Sequence, residues 1–531
     1  MIIDNFIKKF INRFSKADKI AFFSAFFGGL IIHLFIYTNI IPNFDGVGRV
    51  YDAQQMTVSG RWFLHYVSCL NFFTQMPVMI GILTVSFIGF FIAIVVHLLE
   101  IHSCTIALFS GILAVSFPSM AYINTYTFTS SAYAFAIFLT VVAVWMATRW
   151  KWGWVPAGVL LSASIGTYQA YVSVAITLCV LLVFKEVLYE EKKLHCYIEK
   201  GLRYIIFICW GTLLYYLILK IFLYVKQLKL LSYLGMDAVE SGYPIRLIGS
   251  ILKRTYNQVI DFFFLINADN SFNNIFIVFI NWIFLFFCFF VLVIYIIKIR
   301  MQIMRIAVLF LLAFLMPLAV NFCQVLSPYS EPTPVMKYAF VIIYFGGLML
   351  ADNYPYDMVK RRVINCIPLM LILLISCCSI YFVGYDNVLY TMLAQAHRTT
   401  QVYAANMLSR IESLDGYRYG MEVVIVGGFP DDRYFSDIDV YGMVQQGGAL
   451  ANSVVPLNRH IYYYFNDWLN VPFIEPDEEV FVQISNMPEF KEMPLYPDDG
   501  SVRIINNKVV VKVQSSYLPK VQYEKDYEKR R

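Results

Sequence analysis

Residues 43–62 read NFDGVGRVYDAQQMTVSGRW, and five of them are equipped for chemistry: Asp45, Arg49, Asp52, Arg61 and Trp62. If a helix begins near Asn43, then Asp45, Arg49 and Asp52 fall at i, i+4 and i+7 and share one face. A carboxylate in such a row can take the proton of a hydroxyl. Guanidinium groups beside it can hold a phosphate or diphosphate. The same row also suits a salt-bridged helix lying on lipid headgroups, with apolar positions 47, 50, 51 and 58 beneath it. Spacing alone leaves both readings open. A turn signal at Ser59-Gly60 then brings in Arg61 and Trp62, a further guanidinium and an interfacial aromatic.

Two other stretches carry candidate groups. In SIGTYQAYVSVAI, Tyr168, Gln169 and Tyr171 offer hydroxyls and an amide that, with Trp62, suit a sugar. A glutamine at membrane depth is costly unless paired, although an aromatic belt with one satisfied glutamine would look the same. In SPYSEPTPVMKYAF, three prolines stiffen a loop that presents Glu331 and Lys337. Lys337 can reach a headgroup phosphate, either that of a donor lipid or that of any neighbour. His65 has no second histidine near it in the outer loops and reads as a packing residue rather than a zinc ligand. The pair Asp437 and Asp439 lies in a turn-rich segment, FPDDRYFSDIDVYG, and reads as loop. VIVGG is too short for a dinucleotide fingerprint.

A membrane must position these groups. The chain of 531 residues is 59% hydrophobic and 15% charged, against about 25% charged in soluble domains. Apolar runs near 19–41, 77–99, 103–120, 128–148, 153–168, 169–187, 204–224, 273–297, 304–325, 336–351 and 363–385 give about eleven spans, the fifth and tenth short. With the N-terminus in the cytoplasm, the inner segments carry 18 Lys and Arg and the longer outer loops carry 8, as the positive-inside bias requires. Those outer segments are 42–76, 121–127, 225–272 and 326–337, and the main outer loops among them are 42–76, 225–272 and 326–335. The second of these mixes apolar and charged residues at helical spacing and reads as one or two surface helices. Residues 1–18 interleave Ile3, Phe6, Ile7, Phe10, Ile11 and Phe14 with Lys8, Lys9, Arg13 and Lys16, the pattern of an amphipathic interfacial helix.

Polarity becomes ordinary after 385, so residues 386–531 read as a small α/β domain outside the cytoplasm. It would open with a helix near 388–413, followed by the strand EVVIVGG and a hairpin, SVRIINNKVVVKV, turning at Asn506-Asn507. No cysteine follows Cys378, and only Cys69 falls in an outer loop, so no disulfide framework is expected. Cys377 and Cys378 read as buried thiols. The net charge of +5 is no argument for nucleic acid.

Asp45 a few residues past the first span, followed by Gly60-Arg61-Trp62, and Tyr168-Gln169-Ala170 opening the sixth span, resemble the serotype-converting O-antigen glucosyltransferases, polytopic membrane enzymes of the GT-C class. The resemblance runs over most of residues 1–385. It implies transfer of a glucosyl (hexosyl) group from undecaprenyl phosphate to a hydroxyl of lipid-linked O-antigen or a related surface glycan. The reaction would take place at the periplasmic face of a bacterial inner membrane. Asp45 would be the general base of an inverting displacement, and Arg49 or Arg61 would neutralise the departing lipid phosphate. Many GT-C enzymes carry a second acid after the third span. Here that loop reads AYINTYTFTSSAYAF, with Asn124 and no carboxylate. Either Asp52 supplies the second acid or no metal is required. No cofactor is certain, and a divalent cation stays open.

Two other classes compete. An O-antigen polymerase or ligase would place its arginines and histidine in a large late loop, whereas here the charged loop comes first. A transporter or flippase would carry ionisable groups within its spans. Here those are mainly His33 and His97, with no acid at a span centre and no inverted repeat evident.

Overall fold

The structure is a computed structural model that describes residues 14–48, 53–230, 245–265, 274–326, 331–356, 364–429, 453–455 and 458–517. The chain divides into two compact units, Met1–Ile40 with Asp52–Val388, and Ile41–Tyr51 with Leu389–Arg531. Most of the interfacial helix expected over 1–18 lies outside the described residues. At its end, Ser15 caps a new helix, Lys16–Ile32: the Asp18 N–H donates to Ser15 Oγ (3.1 Å) and the Ser15 N–H donates to Asp18 Oδ2 (2.8 Å).

The first unit is helical because lipid leaves a spanning backbone no other way to satisfy its polar groups. Among the described residues, seven helices are long and apolar enough to cross a membrane: Pro77–Leu99, Thr127–Arg149, Gln169–Tyr189, Leu194–Val225, Ile275–Lys298, Ile303–Val320 and Ile367–Glu412. The pair Cys104–Ser116 and Pro118–Thr125, bent by 41°, is long and apolar enough only when its two helices are taken together. Pro118 lacks an N–H and holds Phe117 in an extended conformation, which breaks the ladder there. Trp154–Thr167 and Tyr338–Asp352 are shorter apolar helices, the same two that looked short in the sequence.

Gln169–Tyr189 is almost wholly enclosed by the others, whereas Leu194–Val225, Ile275–Lys298 and Ile303–Val320 leave most of their surface open. Phe279, Phe286 and Phe310 are among the exposed side chains. Such a surface suits hydrocarbon and would be a large apolar patch in water. Close helix approach rests on small residues: a Cβ on Gly111 would collide with Ser24 Oγ and the Ala21 carbonyl. Of the two adjacent cysteines, Cys378 is buried and Cys377 exposed. Neighbours on a helix point about 100° apart, so only one can face the core.

The last span and the helix expected near 388–413 are one continuous helix of 46 residues, Ile367–Glu412, whose residues from Leu389 belong to the second unit. Nothing in the sequence between Tyr385 and Val388 breaks a helix, and Asn387 Nδ2 donates to the Val383 carbonyl (2.8 Å) within it. Asp386 is thereby carried into the interior. It is fully buried, and neither carboxylate oxygen has a hydrogen-bond partner among the described residues. A buried polar group left unsatisfied costs about 1–3 kcal/mol. Asp386→Ala is therefore expected to raise the thermal midpoint of the detergent-solubilised protein, and a lower midpoint would mean that the carboxyl has a partner in the folded state.

In the second unit, three strands form a mixed sheet in the order β1-β3-β2, with β1 Val423–Val426, β2 Val502–Ile505 and β3 Lys508–Lys512. β2 and β3 are antiparallel and turn at Asn506-Asn507, where both residues have positive φ, as a tight hairpin requires. β1 runs parallel to β3, and the helices Asn458–Trp468, Glu478–Asn486 and Pro488–Glu492 lie between them in the chain. Tyr462, on the first of these helices, donates to the Val423 carbonyl (3.1 Å) and accepts from the Ile425 N–H (3.0 Å). It thus covers the outer edge of β1.

Candidate functional site

In the first unit, the helix Ala53–Val58 ends in the expected turn. The Gly60 N–H donates to the Thr57 carbonyl (2.9 Å) with φ of +80°, and the Arg61 N–H donates to the Met56 carbonyl (2.8 Å). This αL cap needs glycine. The turn is tied to distant parts of the chain. The Phe63 N–H donates to the Gly166 carbonyl (2.8 Å), Gln169 Nε2 to the Ser59 carbonyl (2.9 Å), and the Tyr215 hydroxyl to the Gly60 carbonyl (3.1 Å). The amide of Gln169 therefore positions the loop.

The result brings together two motifs more than 100 residues apart. The Arg61 guanidinium lies over the Tyr168 ring, 4.8 Å from its centroid, and Nη1 donates to the Tyr133 hydroxyl (3.3 Å). The rings of Tyr133 and Tyr168 are 4.5 Å apart and those of Tyr168 and Tyr171 5.1 Å apart. Trp62 stacks on Phe222 at 5.7 Å. On its other side it crosses Gly166, where a Cβ would lie 2.6 Å from Trp62 Cε2. Two donors are left over: Trp62 Nε1 and the Tyr171 hydroxyl are buried with no hydrogen-bond partner among the described residues. A guanidinium walled by aromatic rings can hold an anion.

Lys337 is half-buried between the turns Pro334–Met336 and Tyr338–Phe340. Burial pushes its ammonium below the usual lysine range, while Glu331 and Asp261 pull it back up. Burial raises the Asp261 carboxyl, and Glu331 raises it further. No carboxylate lies within 4 Å of Lys337 among the described residues, and Glu331 is exposed. Asp261 lies on Ile245–Phe264, an amphipathic helix. That helix is anchored through Gln258, whose Nε2 donates to Gln324 Oε1 (2.8 Å) and whose Oε1 accepts from Asn321 Nδ2 (2.6 Å).

Asp45 belongs to the second unit. The helix expected from Asn43 is instead a single 3-10 turn, Phe44–Gly46, in which Asn43 Oδ1 accepts the Gly46 N–H (2.8 Å). Two glycines, 46 and 48, disfavour helix continuation, and the next helix starts at Ala53. Through residue 48, then, the helix expected to begin near Asn43 is not present. Arg49 and Asp52 themselves lie outside the described residues, as do Asp437 and Asp439. Asp45 is exposed at the tip of the turn. Val47, expected to rest on lipid headgroups or on neighbouring spans, is fully buried, and it belongs to the second unit. His65 stacks on Phe73 at 5.1 Å. Among the described residues, no group of three or more His, Cys, Asp or Glu could hold a metal ion.

The family model described as glucosyl transferase GtrII matches residues 34–351. The chain belongs to this glucosyltransferase family. No curated protein matches the chain, and no solved structure does. The match spans the Asp45 turn, the Arg61 cradle and Lys337, and it ends before the 46-residue helix.

Three residues of this membrane glucosyltransferase's cradle escape a reading of the sequence. Tyr133 and Tyr215 sit in apolar runs, where aromatics read as core. Lys226, whose ammonium reaches Thr57 Oγ1 (3.5 Å) and lies 5.7 Å from the Phe222 ring centroid, looks like an ordinary basic flank. A basic residue one position past a span, with aromatics one turn before it, was the available signal.

Proposed function

We propose that this glucosyltransferase moves a glucosyl group from undecaprenyl phosphate to a hydroxyl of O-antigen or a related surface glycan at the periplasmic face of the inner membrane. Asp45 takes the proton of the acceptor hydroxyl. The freed oxygen attacks the anomeric carbon, and the bond from that carbon to the phosphate oxygen breaks with its electrons leaving on the lipid phosphate. Arg61, with Arg49 and Lys337, carries the growing phosphate charge. Trp62, Tyr168, Gln169 and Tyr171 form the sugar-binding wall, and Asp52 is the second acid.

The observation that carries this reading is the Arg61 guanidinium held between Tyr168 and Tyr133. The topology behind it counts eleven crossings. The seven long helices and the bent pair are joined by Trp154–Thr167, Tyr338–Asp352, and Lys16–Ile32 with Leu34–Thr38. The N-terminus is cytoplasmic, residues 19–385 form the catalytic membrane domain, and residues 386–531 form a periplasmic α/β domain that grips the acceptor. The test is transfer by the purified full chain in proteoliposomes. Labelled glucose on undecaprenyl phosphate should appear on the acceptor glycan. Transfer from a nucleotide sugar with no polyprenyl phosphate present would overturn the donor assignment.

A further inference from the structure

The turn that carries Asp45 is held by the far end of the chain. Residues 41–51 cluster with 389–531 rather than with the helices that flank them in sequence. Among the described residues, Trp468 Nε1 donates to the Val47 carbonyl (2.8 Å), two residues beyond Asp45. Trp468 is itself fixed. Its indole stacks on Tyr464 with the planes 15° apart and the centroids 6.2 Å apart, and it meets His397 edge-on at 4.7 Å. It is the last residue of the helix Asn458–Trp468, which Tyr462 pins to both the carbonyl of Val423 and the N–H of Ile425 in β1. A chain of rigid contacts therefore runs from the sheet, through this helix, to the backbone beside the acid. On the other side of the turn, buried Asn43 closes it through the Gly46 N–H. An exposed acid on a 3-10 turn with glycines at 46 and 48 has little local rigidity of its own, and the indole bond adds a restraint on the backbone beside it.

We propose that Trp468 is a positioning residue for the general base, so that the C-terminal unit contributes to proton transfer as well as to acceptor choice. The proposal rests on Asp45 being the base. Catalytic groups must be held to fractions of an ångström, and an indole N–H is a donor that phenylalanine lacks while keeping the ring. The test uses the full chain in a transfer assay at saturating donor. Trp468→Phe should lower kcat about tenfold, the worth of one lost hydrogen bond, with the donor KM and the thermal midpoint little changed. Trp468→His, which restores an N–H donor, should recover most of the rate. In an Asp45→Asn background, Trp468→Phe should cause no further loss, because it acts only through the acid. Additive losses in the double variant, or a wild-type rate for Trp468→Phe while Asp45→Asn is inactive, would overturn the positioning role. Full transfer by Asp45→Asn would instead overturn the assignment of the base.

Discussion

Asp45→Asn is expected to reduce side-chain glucosylation by about 10²–10⁴-fold, the usual contribution of a positioned general base. The substitution is nearly isosteric. It falls on an exposed side chain in a turn whose closing hydrogen bond comes from Asn43. The turn should therefore survive, and protein level and thermal midpoint should match those of the parent. An amide at that position cannot accept the acceptor's proton, so the loss should appear in kcat with little change in donor KM. Glycan analysis of the surface polysaccharide, alongside quantified membrane protein, reads the effect directly. Normal glucosylation with well-expressed variant would remove Asp45 from the chemistry.

How much of this was legible in the sequence depended on the range of the interactions involved. Local signals carried through. Ser59-Gly60 forms a turn with glycine at positive φ, Asn506-Asn507 closes the hairpin, and seven helices, or eight with the bent pair, are long and apolar enough to cross a membrane among the described residues. These rest on backbone preferences and on runs of apolar residues that a reader can see. The helix expected from Asn43 gives way to a 3-10 turn at 44–46 for an equally local reason: Gly46 and Gly48 count against helix more than the charge spacing counts for it.

The long-range features were not legible. Arg61 and Tyr168 were both candidates, yet nothing in their own stretches says that one lies over the other. That pairing depends on Gln169, Tyr215 and Gly166 fastening the loop. The expected last span ends at 385, one residue before Asp386. Because the helix continues to Glu412, the carboxyl is buried instead. Trp468 gave no signal at all, since its partner is a backbone carbonyl more than 400 residues earlier. Hydrophobic pattern determines where a chain enters lipid, but it does not encode which polar groups meet once the helices have assembled.

Arg61 is where that tertiary assembly should matter most for the phosphate. Arg61→Met keeps the length and apolar contact of the stem, so the cradle of Tyr168 and Tyr133 should stay filled, while the charge and the forked donors are lost. Transfer should fall about 10²–10³-fold, the effect of removing one group that stabilises developing negative charge. Arg61→Lys separates charge from shape. Its ammonium can still lie over the Tyr168 ring, but as a point charge it cannot engage two phosphate oxygens in the plane that a guanidinium offers. The lysine variant should therefore recover only part of the rate, with the remaining deficit in kcat because the phosphate charge is greatest as the glycosidic bond breaks. If Arg61 served only to brace the loop against Tyr133 and Tyr168, the methionine variant would unfold at lower temperature and retain near-normal kcat in the fraction still folded. Measuring thermal midpoint and single-turnover rate on the same preparations distinguishes the two outcomes.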